Sequence, residues 1–474
     1  MPPSDRAALA ELLAPLLGHG SAKSALALGL RSLILDGRLV ADTRIPSERD
    51  LAADLGVSRA TVTSTYDRLR REGFLASDHG AGTRVRLAGR SAGARPDEAD
   101  HSDEPKTAID LTIAALPAPG ILPELVAQAA GRLSPHLAGH GLSPLGLPEL
   151  RAAIAARYSQ QGLPTAREEI LVTQGALHGW DLILRAHSRP GQSVLIEQPT
   201  YPSMLDAARA HRMRLAPLRT DADGWHPANE DASRPAALAL LTPDFQNPTG
   251  LQVGTAERRR LLRTAPNALI VADETFRELA LEPVKTSPLP LAALAPARTF
   301  TLGSLSKPVW AGLRIGWIRG PETALRALAT ARTGQDLGSP IVDQLVALGA
   351  LEHLDDILAQ RQPALLRQRD ALLADLGATF PCWQVRPPAG GLVLWVDMGP
   401  GQSSSRLALA ARSRGVRLTP GTRFSVAATH DRFLRLPFTL PPSETRTALA
   451  LLAKATEAPA PQPLAGPARE VWTA

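Results

Sequence analysis

The sequence predicts a multidomain protein: an N-terminal α+β module built on a winged helix-turn-helix, linked to a large α/β domain with a smaller C-terminal α+β domain. Three observations predict it. Residues 91 to 107, SAGARPDEADHSDEPKT, hold no large apolar residue and five acids against two bases, the composition of a solvated linker that divides the chain. Before it, two short helical patterns meet at Gly56. After it, five β-prone runs alternate with helical stretches, which argues for a largely parallel sheet covered on both faces. The predicted order is a module at 1–90, a disordered linker at 91–108, the α/β unit at 109–458 with its large domain at about 155–330, and a Pro- and Ala-rich flexible tail at 459–474.

Bulk properties narrow the class. A chain of 474 residues exceeds one ordinary core, so two or three domains are expected. Net charge of +6 and a pI near 9.9 permit an anionic partner without demanding one. A single cysteine, Cys382, excludes an internal disulfide framework and suits a reducing cytoplasm. Asp5 and Glu11 interrupt the first apolar stretch, so no signal peptide is expected, and no apolar run reaches the roughly 18 residues a membrane span needs.

In the first module, Ser47 is a helix N-cap with Asp50 at the capping-box position and Leu51 and Leu55 on one face. Gly56 and Val57 turn the chain. Ser58 caps a second helix whose Val62, Tyr66 and Leu69 form an apolar stripe. Two short helices joined by a glycine turn make a helix-turn-helix, and its second helix would present Ser58, Arg59, Thr61 and Ser64 to phosphates and base edges. Two strands around His79, Gly80 and Gly82 would form a wing. Such helix pairs also occur in proteins that never touch DNA, and thirteen basic against ten acidic residues over 1–90 decide nothing. Position says more: Arg44, Arg49, Arg59 and Arg84 fall where a winged helix meets phosphates. The run IPSERDLAADLGVSRATVTSTYDRLRREGFL resembles the GntR-family winged helix, whose pattern is LPSxRxLAxxLGVSRxTVxxxYxxLxxEGxL. That resemblance implies binding of double-stranded operator DNA through Arg49, Ser58, Arg59 and Thr61, with His79 and Gly80 in the wing.

The strands predicted downstream are ILVTQG (170 to 175), SVLIEQP (193 to 199), AALALLTP (236 to 243), ALIVADE (268 to 274) and RTFTLGSL (298 to 305). From about residue 360 the pattern becomes helix, strands around LVLWVDM, helix, strand and a last helix, the smaller α+β domain. Within GSLSKPVWAGLRIGW stands Lys307, one of five lysines in a chain with 47 arginines. A desolvated primary amine condenses with an aldehyde, which a guanidinium does not. Ser304 and Arg314 could hold a phosphate beside it, the layout a pyridoxal phosphate site requires. Four further clusters suit that chemistry. Gly175 and Ala176 open a helix whose free N–H groups can meet a phosphate, and Tyr201 offers a stacking ring. Asn247 follows a strand end and could bond a phenolate oxygen, while Asp273 could keep a pyridine nitrogen protonated. Each alone has a plain reading, NPTG as a turn and a strand-end Asp as an N-cap. Together they fall at the carboxyl ends of successive strands, where open α/β sheets place ligands.

Residues 110 to 455 resemble the aspartate-aminotransferase fold of fold type I pyridoxal phosphate enzymes, and the fusion resembles MocR/GabR-type regulators. The resemblance implies that Lys307 forms the internal aldimine (Schiff base), that Asp273, Asn247 and Tyr201 hold the ring, and that Ser304, Arg314 and the Gly175–Ala176 backbone hold the phosphate of pyridoxal 5'-phosphate. Arg435 in FLRLPF matches the arginine that grips an effector carboxylate. Phe276 stands where the family carries a tyrosine, and His140 or Gly141 where a second tyrosine reaches the partner's phosphate. A lost hydrogen bond to a charged group is worth about 1.5–3 kcal/mol, so binding would survive while turnover slows. The expectation is a cytoplasmic, head-to-tail dimeric transcription regulator sensing pyridoxal phosphate or an amino compound, with at most weak aminotransferase-type chemistry. A second reading is a working aminotransferase with a DNA-binding appendage; a third, a degenerate fold kept only for dimerisation and effector binding, is disfavoured by the intact Asn247, Asp273, Lys307 and Arg314 set.

Overall fold

The computed structural model describes residues 6, 9, 10, 12–14, 17, 22–35, 39, 43–71, 73–78, 82–85, 109–221, 224–226, 236–282, 288–426 and 429–456. The linker expected at 91–108 and the tail expected at 459–474 lie outside these residues.

In the N-terminal module the helices α1 (Ala22–Leu35), α2 (Glu48–Leu55) and α3 (Arg59–Arg71) pack with a hairpin of β1 (Leu75–Asp78) and β2 (Gly82–Val85). Ser47 caps α2, its hydroxyl accepting from Asp50 N at 3.1 Å. Gly56 closes the helix at φ 65°, a left-handed conformation that costs glycine little. Ser58 caps α3 through Thr61 N at 3.1 Å. Val62, Tyr66 and Leu69 are fully buried against Leu26, Leu30 and Leu51, so the stripe is core. Leu409, from the small domain, joins the same cluster.

The large domain is built on an eight-stranded sheet. Its strands are β4 (Ile170–Thr173), β5 (Ser193–Gln198), β6 (Arg214–Asp221), β7 (Gly224–His226), β8 (Leu238–Leu241), β9 (Leu269–Asp273), β10 (Thr299–Ser304) and β11 (Gly316–Arg319), in the order β4-β11-β10-β9-β8-β5-β6-β7. The run from β6 through β5, β8 and β9 to β10 is parallel, and all five predicted strands form within a residue or two of their expected ends. Three strands are absent from the sequence reading: β6, β7 and β11. β11 pairs antiparallel with both β10 and β4. Two antiparallel pairings in succession leave β4 pointing the same way as β10, so the carboxyl ends of β4, β5, β6, β8, β9 and β10 meet at one edge of the sheet, where β11 begins. Apolar clusters cover both faces, one around Trp180, Ile183 and Ile196, the other around Trp225, Leu261 and Ile270.

In the small domain the long helix Leu354–Thr379 and the helices Ser404–Arg412 and Pro442–Thr456 pack on a four-stranded sheet of Gln384–Val385, Val393–Asp397, Phe433–Pro437 and Thr419–Pro420. β3 (Ile109–Asp110), where the described chain resumes, pairs in parallel with Val416–Arg417 of this domain.

A buried ion pair supports the turn after β8. Arg258 is fully buried, contacts Asp244 at 2.5 Å and donates to Val253 O and Pro243 O, while Arg277 reaches Asp244 from the other side at 3.3 Å. Removing one member leaves a buried carboxylate half-paired. Arg258→Ala is therefore expected to destabilise the α/β unit by about 3–5 kcal/mol, seen as a lower midpoint in urea unfolding followed by tryptophan fluorescence.

Candidate functional site

In the N-terminal module, Arg49 and Arg59 are exposed on α2 and at the first turn of α3. Ser58 spends its hydroxyl on the helix cap, with Thr61 Oγ1 2.8 Å away. His79 and Gly80 lie outside the described residues. Arg70, which the sequence reading did not single out, ties the module together: it pairs with Glu48 at 3.3 Å and donates to Ser77 Oγ on β1 at 2.8 Å and Thr83 Oγ1 on β2 at 3.2 Å. One guanidinium thus fixes the hairpin against both helices of the helix-turn-helix.

At the carboxyl edge of the large sheet the other predicted residues converge. Lys307 follows β10, and its Nζ donates to Ala114 O at 2.6 Å and lies 5.6 Å from the centre of the Phe276 ring. Burial, then the positive charge of Arg435, brings its pKa down from 10.5 to about 8, with Asp273 opposing and Arg314 assisting. About a tenth of this amine is neutral at pH 7, against well under a thousandth for an ordinary lysine. Asp273 ends β9, is nearly buried and accepts from Thr275 N at 3.0 Å. Burial raises its proton affinity, and Thr275 and Lys307 pull it back. Such a carboxyl gains by meeting a cation on its open side.

Tyr201 opens the helix Pro202–Ala210 after β5, half-buried against the Trp180 cluster. Asn247 follows β8 and is nearly buried, and its Oδ1 has no partner among the described residues. Across the sheet, the helix Ala176–His187 begins at Gly175, so its first N–H groups lack intrahelical acceptors and face the edge. Arg314, in a left-handed turn at φ 55°, donates to Gln174 O at 3.0 Å. A Cβ on Gly175 would stand 3.0 Å from that guanidinium, and one on Gly316 would stand 2.7 Å from the Gly175 backbone. Only glycine at both positions lets β11 bring Arg314 against the helix start.

Ser304 is buried, but its hydroxyl is turned into its own loop, donating to Ile315 O at 3.2 Å and accepting from Ser306 N at 3.1 Å. The Ser306 hydroxyl, beside Lys307, is buried and has no partner among the described residues. Sequence reasoning passed over Ser306, and the SLSK run was its signal. Arg435 lies on the strand Phe433–Pro437, nearly buried, over the Phe424 ring at 5.1 Å, donating to Thr112 O with its Nε unpartnered among the described residues. Burial lowers its pKa to about 10, which leaves it charged at neutral pH.

Fold and site together define a class: a winged-helix DNA-binding domain fused to a fold type I α/β domain of the aminotransferase kind. The bacterial regulatory proteins of the gntR family match residues 23–85. Aminotransferase class I and II matches residues 107–452, and the chain belongs to that family, as one of its members that carry a GntR helix-turn-helix in front. It is 31% identical over 404 residues to the HTH-type pyridoxine biosynthesis transcriptional regulator PdxR of Corynebacterium glutamicum, covering 82% of this chain and 86% of that protein. To the vitamin B6 salvage pathway transcriptional repressor PtsJ of Salmonella typhimurium it is 29% identical over 325 residues, covering 67% and 72%. Among solved structures it resembles LysN, the alpha-aminoadipate aminotransferase of Thermus thermophilus complexed with N-(5'-phosphopyridoxyl)-L-leucine, with a TM-score of 0.66 and 27% identity over 74% of this chain and 92% of that one.

The neutral amine is the nucleophile, so reaction with pyridoxal 5'-phosphate is expected to speed up as pH rises and level off above about pH 8, the value burial gives Lys307. Stopped-flow absorbance checks this; a rate still climbing toward pH 10.5 would contradict it.

Proposed function

We propose that this chain is a DNA-binding transcription regulator that holds pyridoxal 5'-phosphate at Lys307 and reads that cofactor, or an amino compound reacting with it, as its effector. One observation carries the regulatory reading. Lys307 Nζ donates to Ala114 O and Arg435 Nη2 to Thr112 O, so both cations hold the same segment. That segment follows directly on the stretch joining the two modules, and Arg361 grips it again at Pro117 O, 2.8 Å away. A ligand that takes up either cation competes with the chain leading to the DNA-binding head.

The cofactor fits the residues present. Asn247 Oδ1, Ser306 Oγ and Arg435 Nε are buried and unpartnered among the described residues, which is costly unless a ligand satisfies them. Pyridoxal phosphate, when bound, supplies an aldehyde for amine exchange and an electron-withdrawing ring. Asp273 would face the ring nitrogen, Asn247 the phenolate oxygen and Tyr201 the ring plane. Gly175, Ala176, Ser306 and Arg314 would hold the phosphate, with the Ser304 hydroxyl bracing their loop through Ser306 N and Ile315 O, and Arg435 would hold the effector's carboxylate. Phe276 packs against Lys307 with no hydroxyl to give, which favours slow exchange and a sensor over an efficient enzyme.

The working aminotransferase is the second reading, favoured by the complete Lys307, Asp273, Asn247 and Arg314 set and by the likeness to LysN. In either reading we place the protein in the cytoplasm as a homodimer, paired head to tail. Leu137, Leu142, Leu337 and Val342 are 70%, 61%, 49% and 42% exposed, with Leu142 and Leu337 flanking the bridge between Ser143 and Gly338. A monomer would leave these apolar groups in water.

The purified protein is expected to turn yellow with pyridoxal phosphate, and Lys307→Ala to stay colourless; a colourless wild type rejects the sensor. Rapid conversion to the pyridoxamine form by an amino acid would instead support the enzyme. Arg59→Ala is expected to abolish gel shifts with the protein's own promoter region and leave the yellow band intact. Leu142→Glu is expected to halve the mass seen by sedimentation if the apolar surface is the dimer contact.

A further inference from the structure

We propose that Glu197 is a positioning residue for the cofactor site, a buried brace that sets Tyr201 and Asn247 at a fixed separation. The inference rests on the reading that this edge of the sheet holds pyridoxal phosphate. β5 is an interior strand between β6 and β8, and Val194 and Ile196 on it are fully buried apolar residues. A carboxyl in that setting, with none of its surface exposed, is costly unless its oxygens are satisfied. A packed aliphatic residue would serve the core better.

Both oxygens are satisfied, and by donors from the segment after β8 that carries Asn247. Thr242 N, at the end of β8, donates to Oε1 at 2.9 Å. Gln246 Nε2 donates to Oε2 at 3.1 Å. Gln246 is itself fully buried, and the same Nε2 donates to Pro199 O at 2.7 Å in the turn that precedes Tyr201. Its Oε1 accepts from Thr249 N at 3.0 Å and Thr249 Oγ1 at 2.6 Å. The amide of Gln246 therefore bridges the Tyr201 turn and its own turn, where Asn247 is the next residue, and Glu197 anchors that amide to the sheet. Neither proposed ring contact touches Glu197, so its action would run through Gln246.

The negative charge of Asp273, on the strand beyond β8, raises the proton affinity of Glu197, by less than burial does. Burial lifts the Glu197 pKa from 4.5 to about 8 although Thr242 and Gln246 donate to it. Near neutrality the Glu197 carboxyl is largely protonated. A folded-state pKa above the unfolded one means that stability from this group is full below about pH 4.5 and is lost as pH rises through about 8.

The test uses the full-length protein, with pyridoxal 5'-phosphate as probe. Glu197→Gln keeps size and one acceptor but sets an amide NH2 against that of Gln246; Gln246→Met cuts the brace from the other side. Each single variant is expected to weaken cofactor binding about tenfold, with unchanged far-ultraviolet circular dichroism. Each is also expected to alter the induced circular dichroism of the yellow band, which reports ring orientation and which simple loss of stability leaves alone. The double variant is expected to bind no worse than either single one, since both cut one brace. Wild-type affinity and an unchanged induced spectrum in the single variants would overturn the proposal, as would a double variant whose loss is the product of the two. Should Glu197→Gln fold poorly, Gln246→Met alone decides by the induced spectrum. A wild type that takes up no cofactor rejects the underlying reading; a yellow wild type with indifferent variants rejects only the brace.

Discussion

The parallel pairing of β5, β8, β9 and β10 is the constraint on which the rest depends. Parallel strands must return through crossovers, so their carboxyl ends collect along one edge while the helices take the faces. That backbone requirement puts Tyr201, Asn247, Asp273 and Lys307 side by side although the sequence spreads them over about a hundred residues. Such an edge has apolar layers on both sides and limited access to water. Charges there are desolvated, and their proton affinities move.

Desolvation then sets the chemistry. It brings Lys307 down toward neutrality and pushes Asp273 up, opposite shifts with one cause. An amine close to its deprotonation point is a competent nucleophile, and a carboxyl reluctant to stay charged alone welcomes a protonated ring nitrogen. The arginines differ. Arg435 stays charged despite burial, and Arg314 is held by geometry, through two glycines that let the start of β11 approach the turn at Gly175. The site thus combines one group made reactive with others fixed as charges.

The same site is tied to the chain entering it. The segment from β3 to Pro117 pairs at one end with the small domain and is held along its length by Arg435, Lys307 and Arg361, which come from three different elements. The winged helix has its own tie, the Arg70 contacts to both strands of its hairpin.

The sequence by itself determined the two modules, the five strands whose carboxyl ends line one edge of the sheet, the caps at Ser47 and Ser58, and the residues Tyr201, Asn247, Asp273 and Lys307 that stand at that edge. These follow from signals spanning a few residues: alternation of apolar runs, capping hydroxyls, glycine turns and short motifs. Tertiary structure alone decided the rest. β11 is a four-residue strand with no alternation to mark it, and its antiparallel insertion between β4 and β10 depends on partners far away in sequence. The sharing of roles between Ser304 and Ser306 depends on which hydroxyl the loop itself consumes. The carbonyls of Thr112 and Ala114 meet cations 323 and 193 residues distant. Glu197 reads locally as an odd acid in an apolar strand, and only the packed sheet supplies its donors. Propensity and capping act between neighbours along the chain, whereas burial, charge and long-range hydrogen bonds are fixed only when distant segments have been brought together.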